Sequence, residues 1–240
     1  MRIIEKPSPN YETRRDGAAI GYIILHYTGM ESAAKALGKL TDPVGKVSAH
    51  YTVDEDGTIY RHVADDHRAW HAGRSFWQGN QDINSFSLGI EIVNPGHEWG
   101  YRAFPDAQIQ AVSDLCRELI ARHDIPPENV LAHSDVAPDR KEDPGELFPW
   151  SVLAENGVGV WPSESGEAVD KSAGMDVDRA LRDAGYDPQA TPAQRLIAFQ
   201  RHFEPEAFAE GVAGQISART RARLYAWLAG HWLPSADGAW

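Results

Sequence analysis

Two histidines and two acids stand where a metal site would draw on them. His26 closes the apolar run "GYIILHY" and His133 closes "VLAH", so two strand-like segments each deliver an imidazole at the tail. The thirteen positions after His133 hold two prolines, a glycine and seven charged residues, Asp143 among them. That composition suits an ordinary surface turn, and it equally suits a loop that carries chemistry at a strand end. Two imidazole nitrogens and one carboxylate oxygen make the set that catalytic zinc asks for, three protein ligands with a position left open. Taken singly, each histidine also reads as a hydrogen-bonded core or rim residue.

Glu91 is the second anomaly. In "LGIEIVN", Leu88, Ile90 and Ile92 alternate to one side and Glu91 points to the other, where a lone carboxylate is expensive to bury. It is either the ion-pair partner of an arginine or the base that takes a proton from water activated at the metal.

The elements that would position these residues alternate in type. Strand-like runs at 19–28, 87–94 and 129–133 are separated by helical segments, and "AHYTVDEDGTIYRHV" alternates on both sides of Asp56-Gly57, as a hairpin does. These features predict an α/β fold with a mixed central sheet flanked by helices. In "DAQIQAVSDLCRELIARHDI", Ile109, Val112, Leu115, Cys116, Leu119 and Ile120 recur at helical spacing, so the single cysteine is read as a small core hydrophobe. After Trp161 the stretch 162–175 is polar and poor in large apolar residues, and reads as a linker. Beyond it, three helical patterns follow, built on Val177, Ala180, Leu181 and Ala184, then on Leu196, Phe199 and Phe203, then on Leu224, Trp227 and Leu228. Thr191-Pro192 would start the second and Ser217 would cap the third. The division expected is 1–161, a catalytic domain; 162–175, a linker; and 176–240, a small three-helix domain.

The formal net charge of −12 argues against a nucleic-acid partner bound through a basic surface. With one cysteine, neither an intrachain disulfide nor a Cys-based metal cluster can form. The opening segment lacks the apolar run of a signal peptide and no stretch is long enough to span a bilayer, so the chain as given reads as cytoplasmic.

Five segments taken together, "ILHYTGM", "VSAHYTVDEDG", "RAWHAG", "SLGIEIVNPG" and "AHSDVAPDRKEDPGE", resemble the zinc-dependent N-acetylmuramoyl-L-alanine amidases of the type 2 family, relatives of phage amidases and peptidoglycan recognition proteins. The resemblance runs from about Ser8 to Trp161. It implies one zinc per chain on His26, His133 and Asp143, Glu91 as the catalytic acid, and Lys141 as the donor that steadies the oxyanion. It also places His50 and His71 near the site, each equally readable as structural, and with Arg68 they form the candidate set for substrate. Arg68 is the candidate for a stem-peptide carboxylate because a guanidinium fork suits one. The segment 176–228, with "LRDAGYD", "LIAFQRHFEP" and "GQISARTRARLYAWL", is similar to the three-helix peptidoglycan-binding domain of wall hydrolases. The expected activity is hydrolysis of the amide between N-acetylmuramic acid and L-alanine, in peptidoglycan or in anhydro-muropeptides. The rival is a non-catalytic peptidoglycan sensor, which would be expected to lack one ligand, and a closed structural zinc site would need a fourth. His62, His67, His97, His123, His202 and His231 have no such context and are read as surface or packing residues.

Overall fold

The computed structural model describes residues 2–15 and 17–233; Trp240, to which the sequence assigns no role, lies outside them. The strands are β1 (Ile3–Glu5), β2 (Tyr11–Thr13), β3 (Tyr22–Tyr27), β4 (Tyr51–Val53), β5 (Ile59–Arg61), β6 (His67–Ala69), β7 (Ser87–Ile92) and β8 (Val130–Ala132). The helices are α1 (Ala33–Thr41), α2 (Ile83–Phe86), α3 (Gly96–Trp99), α4 (Asp106–His123), α5 (His133–Val136), α6 (Trp150–Glu155), α7 (Gly166–Ser172), α8 (Val177–Ala184), α9 (Pro192–Phe203), α10 (Glu206–Ala209) and α11 (Ala218–Ala229). Six strands form one mixed sheet in the order β1-β5-β4-β7-β3-β8, while β2 and β6 pair separately. The hairpin expected at Asp56-Gly57 is β4–β5, with Tyr51 opposite Arg61 and Val53 opposite Ile59.

Alternation along β3 and β7 gives the sheet two differently covered faces. Ile23, Leu25, Leu88, Ile90 and Ile92 pack under α4 against Ile109, Val112, Leu115, Cys116 and Leu119, the stripe that its spacing predicts. On the other face Ile24 and Leu131, with Trp77 and Val136, pack against Val177, Leu181, Leu196, Phe199 and Leu224 of the carboxy-terminal helices. That apolar face stops at the carboxyl ends of the parallel strands, where His26 sits in register with Glu91, and Glu91 with Thr52. Open α/β sheets place their ligand sites at such strand ends.

Two expectations change. His133 does not end a strand: β8 stops at Ala132, and His133 is the first residue of the one-turn helix α5. Residues 162–175 are not a free linker. Pro162 bridges Trp232, Ser163 N–H donates to the His231 carbonyl, and α7 lays Ala168 against Ala222 and Ala226 of α11. Alanine contacts bring helices together without the large apolar residues by which a core segment is recognised. The three helices read from spacing are α8, α9 and α11, with α7 and α10 added, and Asp176, Thr191 and Ser217 cap as side-chain acceptors.

Because the carboxy-terminal helices complete one face of the sheet, Leu181→Ala should destabilise the whole chain. Leu181 is fully enclosed, and the loss expected is about 2–5 kcal/mol. Melting followed by tryptophan fluorescence and far-UV circular dichroism should give one transition, shifted alike in both. Two transitions, with only one of them shifted, would mean that the helices fold apart from the sheet.

Candidate metal centre and its cleft

His26, His133 and Asp143 converge. His26 Nδ1 lies 2.9 Å from His133 Nδ1 and 3.0 Å from Asp143 Oδ2, and His133 Nδ1 lies 2.9 Å from the same oxygen. All three side chains are buried. The outer hydrogen bonds decide which ring nitrogens carry protons. The Ser87 hydroxyl donates to the Ile83 carbonyl (2.7 Å), so toward His71 Nε2 (3.2 Å) it accepts. His71, held neutral by burial and then by the neighbouring histidines, therefore presents a bare Nδ1. His26 Nε2, 3.0 Å away, must donate to it. Burial, with the His133 ring close beside it, lowers His26 to about 4, so its single proton is the outer one and Nδ1 is bare. His133 Nε2 donates to the Ala72 carbonyl (3.1 Å), the tautomer that leaves its Nδ1 bare as well.

Three acceptors thus meet within 3.0 Å with no proton between them, an arrangement that a cation resolves. Donors bound tetrahedrally at about 2.0–2.1 Å from zinc lie roughly 3.3 Å apart. The triangle is only slightly tighter, and two imidazoles with one carboxylate fit that ion.

Each ligand is held from behind. Gly89 makes room for the His71 ring, since a Cβ there would overlap it. The Ser134 N–H donates to the Asp143 carbonyl (3.0 Å), fastening the charged loop to α5. Farther along that loop, Gly145 (φ +89°) lets the Tyr101 hydroxyl come close enough to donate to the Pro144 carbonyl (2.9 Å) and accept from the Leu147 N–H (2.9 Å). Helix α5 is clamped through Asp135, which is fully buried. Its carboxylate accepts from the Ala132 N–H (2.8 Å) and the Tyr186 hydroxyl (2.8 Å), and meets His202 Nδ1 at 2.6 Å. Tyr186 and His202 come from the carboxy-terminal helical region, and the His202 ring is stacked between Trp150 and Phe203. His202, read from sequence as surface or packing, is thus wired to the turn that carries His133.

Glu91 makes no ion pair among the described residues, and its Oε2 is enclosed without a hydrogen-bond partner. Desolvation, followed by the charge of Asp143, raises it to about 8, with Lys141 opposing. Lys141 borders a cleft of about 690 Å³ together with Asp143, Tyr27, Ile197, Arg201 and Phe208. One wall of this cleft belongs to the loop that carries Asp143 and the other to α9 and α10.

The three residues expected to meet substrate are engaged elsewhere. Arg68 is paired with Glu12 and Asp82, so its fork is already filled by carboxylates. His50 is fully enclosed, accepts from the Gly89 N–H at Nδ1 (2.9 Å) and donates to the His67 carbonyl from Nε2 (3.1 Å). His71 spends both nitrogens on His26 and Ser87. Both rings therefore have their nitrogens occupied within the chain.

Comparisons with known proteins give the family. A family model described as N-acetylmuramoyl-L-alanine amidase matches residues 16–146. Among curated relatives, N-acetylmuramoyl-L-alanine amidase AmiD of Escherichia coli is 37% identical over 92% of this chain and 88% of its own length. The 1,6-anhydro-N-acetylmuramyl-L-alanine amidase AmpD of Escherichia coli is 35% identical over 60% of this chain and 86% of its own. Among solved structures, AmiD from E. coli in complex with anhydro-N-acetylmuramic acid-L-Ala-D-gamma-Glu-L-Lys superposes with a TM-score of 0.77 at 36% identity, covering 91% of this chain and 93% of that one. AmpDh3 from Pseudomonas aeruginosa gives 0.78 at 32% identity, covering 93% and 97%. With more than half of its length matched by the family model and nearly all of it by AmiD, the chain belongs to the type 2 N-acetylmuramoyl-L-alanine amidase family.

Proposed function

We propose that this protein is a zinc-dependent amidase that hydrolyses the bond between the lactyl carbonyl of N-acetylmuramic acid and the L-alanine of the stem peptide, with anhydro-muropeptides among its substrates. The observation that carries the reading is the trio of bare acceptors on His26, His133 and Asp143 beside the unpartnered Glu91. The ligands named in the structures of AmiD and AmpDh3, an anhydro-muramyl tripeptide and an anhydromuramic pentapeptide, support the substrate class. A non-catalytic sensor would have no use for a buried carboxyl and an ammonium left free beside a complete ligand set.

One zinc per chain, held by His26, His133 and Asp143, would supply Lewis acidity toward the scissile carbonyl and a water that ionises near neutral pH. Glu91 takes the proton of the attacking water at its carboxylate and returns it to the departing alanine nitrogen, a transfer for which a raised carboxyl is suited. Lys141, whose ammonium has no hydrogen-bond or ion-pair partner among the described residues, donates to the carbonyl oxygen as negative charge develops there. The cleft admits the stem peptide between the catalytic loop and α9.

In this proposal residues 1–161 carry the chemistry, 162–175 connect, and 176–240 hold the polymer. The family model, which ends at residue 146, and AmiD, which matches 92% of the chain, support a carboxy-terminal addition to a common catalytic unit.

His133→Ala should lose bound zinc and turnover together, and His71→Ala should weaken zinc binding by about 10- to 100-fold, the usual penalty for removing the partner of a liganding histidine. Chelator competition measures both, and stoichiometric zinc retained by His133→Ala would refute the ligand set. Glu91→Gln should keep its zinc and lose turnover by roughly 10²-fold or more, with Lys141→Ala acting in the same direction; normal rates would remove these residues from the mechanism. Glu91→Gln should also pellet with purified sacculi when excess soluble muropeptide fills the cleft. Release by that competitor would assign all wall binding to the cleft.

A further inference from the structure

We infer that Arg201, carried on α9, is a specificity residue that reads a free carboxylate of the stem peptide. This rests on the amidase reading above and adds to it the residue that tells one stem peptide from another.

Arg201 is 9% exposed, yet its guanidinium is only partly used. Nε donates to Glu146 Oε2 at 3.1 Å, and the guanidinium carbon lies 4.9 Å from the centroid of the Phe208 ring. The two terminal nitrogens have no hydrogen-bond partner among the described residues, and the side chain borders the same cleft as Asp143 and Lys141. Neither is an enclosed atom left without a partner, so both terminal nitrogens face the open cleft, where an anion can reach them. The other cations of that wall are committed: Arg140 donates to the carbonyls of Ala72 and Arg74, and Lys141 stands at the metal end for the oxyanion. The acids are committed as well, Asp139 to Arg74 and both Glu142 and Glu146 to His97, except Glu98, which is exposed on α3. With Nε anchored and one face on Phe208, the free edge of the guanidinium is a preformed fork for a planar anion.

The stem peptide supplies that anion. A γ-linked glutamyl second residue keeps its α-carboxylate free, and converting it to the primary amide removes the charge while preserving size.

The test compares zinc-loaded wild type, Arg201→Gln and Arg201→Lys on two anhydro-muropeptides that differ only in that group, carboxylate or amide. Calorimetric binding of the corresponding free tripeptides L-Ala-γ-D-Glu-L-Lys and L-Ala-D-isoglutaminyl-L-Lys runs in parallel. Wild type should prefer the carboxylate by roughly 10- to 100-fold in kcat/KM, expressed mainly in KM, as the loss of charge-assisted hydrogen bonds predicts. Arg201→Gln should drop on the carboxylate substrate to the level seen with the amide, and Arg201→Lys should recover only part of the preference. A wild type that treats both substrates alike, or an Arg201→Gln variant that loses equally on both, would overturn the assignment and leave the amidase reading standing. If neither muropeptide is cleaved while the tripeptides show the Arg201-dependent preference, the carboxylate site stands and the amidase reading falls.

Discussion

Burying three hydrogen-bond acceptors against one another is the constraint around which this molecule is organised. His26 Nδ1, His133 Nδ1 and Asp143 Oδ2 lie 2.9–3.0 Å apart with every available ring proton directed outward. Such a cluster repels itself in a low-dielectric interior unless a cation sits in it. It persists only where the surrounding chain leaves the rings no other orientation. The relay from His26 through His71 and Ser87 to the Ile83 carbonyl supplies that restraint on one side, and the Ala72 carbonyl on the other. Two of these partners are plain backbone carbonyls, so the proton positions follow from atoms that can only accept.

The sheet serves this arrangement by having unlike faces. Under α4 it is a conventional apolar core. On the opposite face apolar packing runs along the strands and then gives way, at their carboxyl ends, to His26, Glu91 and Thr52. A carboxyl left without a partner at that boundary stays near neutrality, and its proximity to Asp143 adds to the effect. Packing and chemistry therefore meet within a single strand: Ile90 and Ile92 hold β7 in the core while Glu91 between them faces the site.

The carboxy-terminal helices have more than one structural role. They fill the core against Ile24 and Leu131, they clamp α5 through Tyr186 and His202 on Asp135, and they form the far wall of the cleft with Ile197, Arg201 and Phe208. The family model matches residues 16–146 and so ends before these helices begin. In this chain the metal-binding turn and the added helices share buried polar contacts, which couples the stability of one to the other.

The sequence by itself determined β3, β7, the β4–β5 hairpin and α4, because strand alternation and the helical stripe are local patterns that burial imposes directly, whereas the short β1, β2 and β6 left no such pattern. It also singled out His26, His133, Asp143 and Glu91, since polar residues at the ends of apolar strands, or inside one, are conspicuous against their neighbours. What only the tertiary structure decided is everything that depends on distant segments meeting. The misplacement of His133 by one element came from a strand that ends in a turn with no Gly or Pro to mark it. Arg68, His50 and His71 looked available because the carboxylates, carbonyls and Ser87 that occupy them come from other parts of the chain. His202 and Arg201 gave no local signal at all, for a histidine and an arginine on an amphipathic helix look alike whether they face water, a buried aspartate or a cleft. Their meaning is set by which surface α9 lands on, and that is a property of the packed core and not of any window of residues.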